Sequence, residues 1–228
     1  MIPTAATVEA PASLRAAPSG VLEPRRIAHQ LGEVAALLNA GIHLGGSDGE
    51  RSLLVAEQYL RRFVADLHDL DAIVDPARFE RLRLSRLMAD AGDAVGALPS
   101  GQRLAVSVDD GMPAIAGDHG PLHVMLMHLL RFCGSAARPG AVRVRVSARR
   151  VEARVHVTLA DDGTQLDAAA AAQLFDPFAA PPGRGSLVGA GVGLVVAQRI
   201  VHAHGGRIAA APRTPAGIAL TFDLPAAP

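Results

Sequence analysis

The chain has 228 residues, 50% of them hydrophobic and 19% charged, with 22 basic side chains set against 22 acidic ones. This is the composition of a globular protein, and its zero net charge excludes the basic footprint of a dedicated nucleic-acid binder or a polybasic membrane site. All 22 basic residues are arginine, and asparagine and cysteine occur once each, as Asn39 and Cys133. Lysine phosphate loops, Schiff bases, internal disulfides and multi-thiolate zinc sites are therefore all excluded.

Residues 1–23, rich in Ala, Pro and Ser, read as a disordered tail. They lack the basic start and apolar run of a signal peptide. The longest nearly apolar stretch, Leu187 to Ala197, falls short of the roughly 20 residues a membrane span needs. A cytoplasmic protein without a membrane span is expected.

Pro24 opens the first pattern, in which Ile27, Leu31, Val34 and Leu38 recur at helical steps. Leu53, Ala56, Leu60, Phe63, Leu67, Leu70 and Val74 then step by three and four up to Pro76, as in a heptad seam. Gly45 to Gly49 supplies turn chemistry between them, so residues 24–76 read as a helical hairpin. Two helices cannot bury such a stripe alone; a second copy of the chain would complete a four-helix bundle.

The period then changes to two. Leu104, Val106 and Val108 alternate, as do Val142, Val144 and Val146, and again Val155, Val157 and Leu159. Leu122, Met125, Leu126, Leu129 and Leu130 lie on a helix between them, and Asp167 before five alanines caps another. A third helix spans Gly193 to His204, stopped by Gly205-Gly206. Strands near Arg207–Ala211 and Ile218–Leu224 close the chain. The expected fold is α+β: the hairpin, then an α/β sandwich over residues 77–228.

Four segments carry chemistry. Gly189-Ala190-Gly191-Val192-Gly193-Leu194 opens a helix, where backbone amides and the positive helix end favour phosphate. The other three are Asp161-Asp162-Gly163, Leu174-Phe175-Asp176-Pro177-Phe178 and Arg199-Ile200-Val201-His202-Ala203-His204-Gly205-Gly206-Arg207-Ile208. In this order and spacing they resemble the ATP-binding domain of bacterial sensor histidine kinases, a branch of the ATPase fold shared with gyrase, Hsp90 and MutL. The resemblance implies that Asp161 accepts a hydrogen bond from the adenine amino group and that Gly163 lets the base approach. It places Gly189, Gly191 and Gly193 against the phosphates with Leu194 beside them, and Phe175 and Phe178 at the hinge of the covering loop. Arg184 is the one cation in that loop.

The same resemblance gives the hairpin a role. Arg26-Ile27-Ala28-His29-Gln30-Leu31 stands where sensor kinases carry their phosphate-accepting histidine. With Ile27 and Leu31 in the seam, His29 faces away from it, and neutral imidazole is nucleophilic near pH 7. The alternative is an ordinary surface histidine, one of nine.

Two departures from the family pattern bear on activity. The acidic neighbour that accepts the histidine's proton is replaced by Gln30; Glu33, one turn on, is the substitute candidate, or else an ordinary solvated glutamate. In the ATP site, the family sequence N-L-L-x-N-A is matched without gaps by His128-Leu129-Leu130-Arg131-Phe132-Cys133. Phe132 stands at the magnesium asparagine and His128 at the other one, and Gln165 replaces a glycine of the adenine motif. A phenyl ring offers no oxygen to magnesium, and imidazole suits softer metals.

The resemblance thus implies an ATP site with a compromised magnesium position. Three readings follow: an active kinase phosphorylating His29 from ATP; a phosphotransfer relay between an upstream histidine kinase and a response-regulator receiver; and a nucleotide-sensing scaffold. An impaired or relay form is the expectation, acting as a homodimer.

Overall fold

The computed structural model describes residues 35–36, 38–39, 42–43, 46–70, 72–95, 104–135, 142–163, 165–176 and 191–228. The first long element is α1 (Gly46–Asp69). A short 3₁₀ turn (Pro76–Arg78), capped by Asp75 through the Ala77 amide at 2.9 Å, leads into strand β1 (Glu80–Arg83) and helix α2 (Leu84–Val95). Strands β2 (Leu104–Val108) and β3 (Ala114–Gly117) precede helix α3 (His119–Gly134). Then follow β4 (Val142–Val151), β5 (Arg154–Asp161), the short α4 (Ala168–Ala172), α5 (Gly191–Ala203), β6 (Ile208–Pro212) and β7 (Ile218–Pro225).

Five strands form one sheet in the order β2-β4-β5-β7-β6, with β2 parallel to β4 and every other pair antiparallel. Strands β1 and β3 make a separate antiparallel ribbon. The alternation seen in sequence places Val144, Val146, Val155, Val157 and Leu159 on one buried face, which Leu220, Phe222 and Leu224 of β7 share. Helices α3 and α5 pack side by side on this layer, with α2 against α3. Helix α3 is apolar around most of its circumference and is correspondingly buried; Leu122, Met125, Leu126, Leu129 and Leu130 are inaccessible.

The helix-stop at Gly205-Gly206 closes with paired backbone bonds, Gly205 N–H to His202 O and Gly206 N–H to Val201 O, both 2.8 Å. Gly205 sits at φ +70°, the left-handed residue such a terminus uses. Asp167 caps α4 through the Ala170 amide at 2.7 Å.

Three sequence expectations change. The segment read as a turn, Gly45 to Gly49, is from Gly46 onward the first turn of α1. The seam read as continuous to Val74 stops with the helix at Asp69, and Leu70 joins the core of the ATPase-like layer. Elements β1, α2 and β3 were not read from the sequence. The strands are four residues long, and β1 is half arginine; α2 does carry a helical apolar period in Leu84, Leu87, Met88 and Ala91.

Candidate functional site

Asp161 ends the inward-facing row of β5 that begins Val155, Val157, Leu159, and it has no solvent exposure. A buried carboxylate needs hydrogen bonds in place of water. Its Oδ1 accepts from the Gly163 amide at 2.9 Å and the Ile218 amide at 3.2 Å, which fixes the side chain at the end of the central strand. Its carbonyl accepts from the Arg213 guanidinium at 2.6 Å. Gly217, at φ +86°, permits this packing: a Cβ there would lie 2.0 Å from the Asp161 carbonyl oxygen.

Gly191 is the first residue of α5 and Gly193 lies within its first turn. A Cβ on Gly193 would approach Nδ1 of His128 to 2.7 Å, so this glycine admits the imidazole against the helix. Leu194 is 1% exposed and its side chain belongs to the core. Leu174 is buried and Phe175 half-buried against the same core.

His128 projects from α3 into the space between α3, α5 and the end of α1. Its Nε2 lies 2.9 Å from Oδ2 of Asp69, and its Nδ1 lies 3.6 Å from Oδ1 of Asp66. The hydrogen bond with His128 holds the Asp69 carboxyl below the usual range, against the opposing effect of burial and with help from the charges of His128, Arg131 and His68. Phe132, one turn beyond His128, is 3% exposed and packs in the core.

His204, in the α5 terminus, is a second buried histidine. Its Nδ1–H donates to Ile200 O at 2.8 Å and its Nε2 accepts from the Asp118 amide at 3.1 Å, joining the end of α5 to the start of α3. Phe79 stacks on the ring at 4.9 Å. Burial pushes its pKa below the ordinary histidine value, against opposing contributions from Ile200 and Asp118.

The structure thus brings Asp161 and Gly163 to the end of the central strand and Gly191, Gly193 and His128 to one helix start. His29, Glu33, Arg184, Gly189 and Phe178 lie outside the described residues. Asp66 and Asp69 were not anticipated from the sequence; the signal was their three-residue spacing beside an apolar seam, which puts both on one helical face.

Residues 117–228 match the family described as histidine kinase-, DNA gyrase B- and HSP90-like ATPase. Over these residues the chain is similar to the ATPase domain of histidine kinases. Among curated proteins, the sensor protein KdpD of Mycobacterium tuberculosis is 36% identical over 123 residues, which cover 53% of this chain and 14% of KdpD. The sensor protein DivL of Caulobacter vibrioides is 30% identical over 190 residues, 81% of this chain and 24% of DivL. The chain therefore spans a minor part of these relatives. Among solved structures, the Acinetobacter baumannii histidine kinase AdeS superposes with a TM-score of 0.62 at 16% identity, covering 90% of this chain and 98% of that one. Histidine kinase ThkA in complex with response regulator TrrA gives 0.65 at 14% identity, covering 89% and 60%. Both similarities extend beyond the ATPase domain.

Within this region, the donor set at positions 128 and 132 does not fit magnesium, which demands oxygen ligands in near-octahedral geometry. Phe132 has none to give and is packed into the core. No helix of the described residues is long and apolar enough to cross a membrane.

Proposed function

We propose that the chain is a two-component signalling protein that passes phosphate through His29 to a response-regulator receiver, with impaired or lost autokinase activity. Residues 24–76 act as the dimerising phosphotransfer hairpin and residues 77–228 as the kinase-type domain. The observation that carries the reading is the pair His128 and Phe132, which removes amide oxygens from both positions where the family pattern has asparagine. The nucleotide would supply a γ-phosphoryl group. Asp161 and Gly163 would hold the adenine, and Gly189, Gly191, Gly193 and Arg184 would face the phosphates. Two acidic side chains, Asp66 and Asp69, stand against His128 beside the start of α5, so in the absence of a bound cation the field there opposes a polyphosphate. Gln30 in place of the proton acceptor works in the same direction, leaving Glu33 as the only acid one turn from His29.

Fold similarity to a kinase solved with its response regulator supports a receiver as the partner. An upstream histidine kinase would charge a first receiver, from which His29 would take the phosphate and hand it to a second.

The test offers two donors side by side: magnesium-ATP, and a receiver domain already phosphorylated on aspartate. The expected result is acid-labile labelling from the receiver only, abolished in His29→Ala. Rapid labelling from ATP that is lost in His29→Ala would establish an active kinase instead. If neither donor labels the chain while ATP still raises its melting temperature, the nucleotide-sensing scaffold is the reading that stands.

A further inference from the structure

The contact between the end of α1 and the nucleotide-type helices has the chemistry of a metal site. Asp66 and Asp69 project from one face of α1, and His128 reaches them from α3. One ligating atom from each of the three lies within 4.8 Å of the others. The His128 side chain is 1% exposed and that of Asp66 is 9% exposed.

The proton positions follow from the partners. The Asp69 carboxylate can only accept, so the Nε2 nitrogen of His128, 2.9 Å away, is the donor. In the neutral ring this leaves the lone pair on Nδ1. Nδ1 is fully buried and has no hydrogen-bond partner among the described residues. It faces Oδ1 of Asp66 at 3.6 Å. A lone pair and a carboxylate oxygen at that separation repel, and a cation between them converts the repulsion into two bonds. A tetrahedral ion with bonds of about 2.0–2.2 Å sets its ligand atoms about 3.3–3.5 Å apart, close to the spacing seen.

We propose that His128 Nδ1 and the Asp66 carboxylate bind a divalent transition-metal ion of the zinc class, with Asp69 holding the Nε2–H. A carboxylate on the far nitrogen of a metal-bound histidine fixes its tautomer and orientation, which is the role the geometry gives Asp69. One imidazole with one carboxylate selects zinc-class ions over magnesium. Water would fill the remaining positions, entering past Asp69, whose side chain is one-third exposed. The ion would tie α1 to α3 beside the glycine helix, and the inference stands whether or not His29 carries phosphate.

The experiment is a calorimetric titration of the untagged, chelator-treated full chain with zinc chloride, repeated with cobalt(II) to read its visible absorption. One ion per chain is expected. Binding should vanish in Asp66→Asn and in His128→Gln, and weaken about 10–100-fold in Asp69→Asn. It should be unchanged when His119 and His123 are both replaced by Gln; these rings, 6.1 Å apart on the first turns of α3, are the obvious competing pair. Absence of binding overturns the proposal, as does binding that survives in Asp66→Asn and His128→Gln or is lost with His119 and His123. If the two buried substitutions prevent folding, Asp69→Asn, at a partly exposed position, decides: unchanged affinity there rejects the site.

Discussion

A proton on Nε2 of His204 would remove the acceptor for the Asp118 amide, leaving a buried donor unpaired at the start of α3. The folded protein therefore favours the neutral ring, and its pKa lies below the unfolded value. The unfolded chain binds the extra proton first. Stability from this group is complete above the unfolded histidine pKa and is lost as pH falls below it toward the depressed folded value. Urea denaturation should give a lower midpoint at about pH 5.5 than at about pH 7.5, and the difference should shrink in His204→Gln. Asp161 separates fold from ligand in another way. Asp161→Ala strands the Gly163 and Ile218 amides, at about 1–3 kcal/mol for each buried donor. Asp161→Asn keeps the Oδ1 acceptor, so its melting temperature should stay near that of the parent while a fluorescent ATP analogue no longer binds. An analogue that binds Asp161→Asn undiminished would detach this residue from adenine recognition.

At the start of α5 the glycine at 193 serves packing. Alanine at 193 would press on His128 at 2.7 Å, and the ring is pinned by Asp69 behind it, so Gly193→Ala should destabilise the domain by about 1–3 kcal/mol. In His128→Ala the same change should cost far less, and a double-mutant cycle in urea measures the difference as coupling. Additive effects would show that the ring and the glycine do not meet in solution. This contact also marks how far the sequence can be read. Period-two runs gave the inward faces of β4 and β5 because each side chain there answers to a single sheet. Asp161 was singled out by the segment Asp161-Asp162-Gly163 and the resemblance it carries, and its place in phase with Val155, Val157 and Leu159 emerges only in the fold. The pairing of Asp69 with His128 joins residues 59 apart on two helices, and no local period encodes where helices cross. Nor does a period reveal β1 or β3, whose four residues depend on each other across the chain.

At the scale of the molecule, α1 divides into two parts with different surroundings. Its last turn is bound into the ATPase-type domain through Asp66, Asp69 and the adjoining Leu70, which is 9% exposed. Its first part carries Leu53 at 38%, Leu54 at 57%, Leu60 at 39% and Val64 at 43% exposure. Leu53, Leu60 and Val64 recur at seven- and four-residue steps, so their side chains make one apolar stripe along the helix. Burying a leucine or valine of this kind contributes about 1.5–3 kcal/mol, and a single chain leaves that gain unrealised. A second copy, apposed along the stripe, would cover it symmetrically and would supply the bundle expected of the proposed hairpin. Light scattering coupled to gel filtration should therefore report a dimer. Leu53→Arg combined with Leu60→Arg should shift it to monomer, because two charges on each helix cannot be buried unpaired in the seam. Since neither side chain is in the domain core, the melting of the β-sheet layer should be little changed. A monomeric parent chain, or a dimer that persists in the double variant, would remove α1 from the interface and with it the geometry for transfer within a paired hairpin.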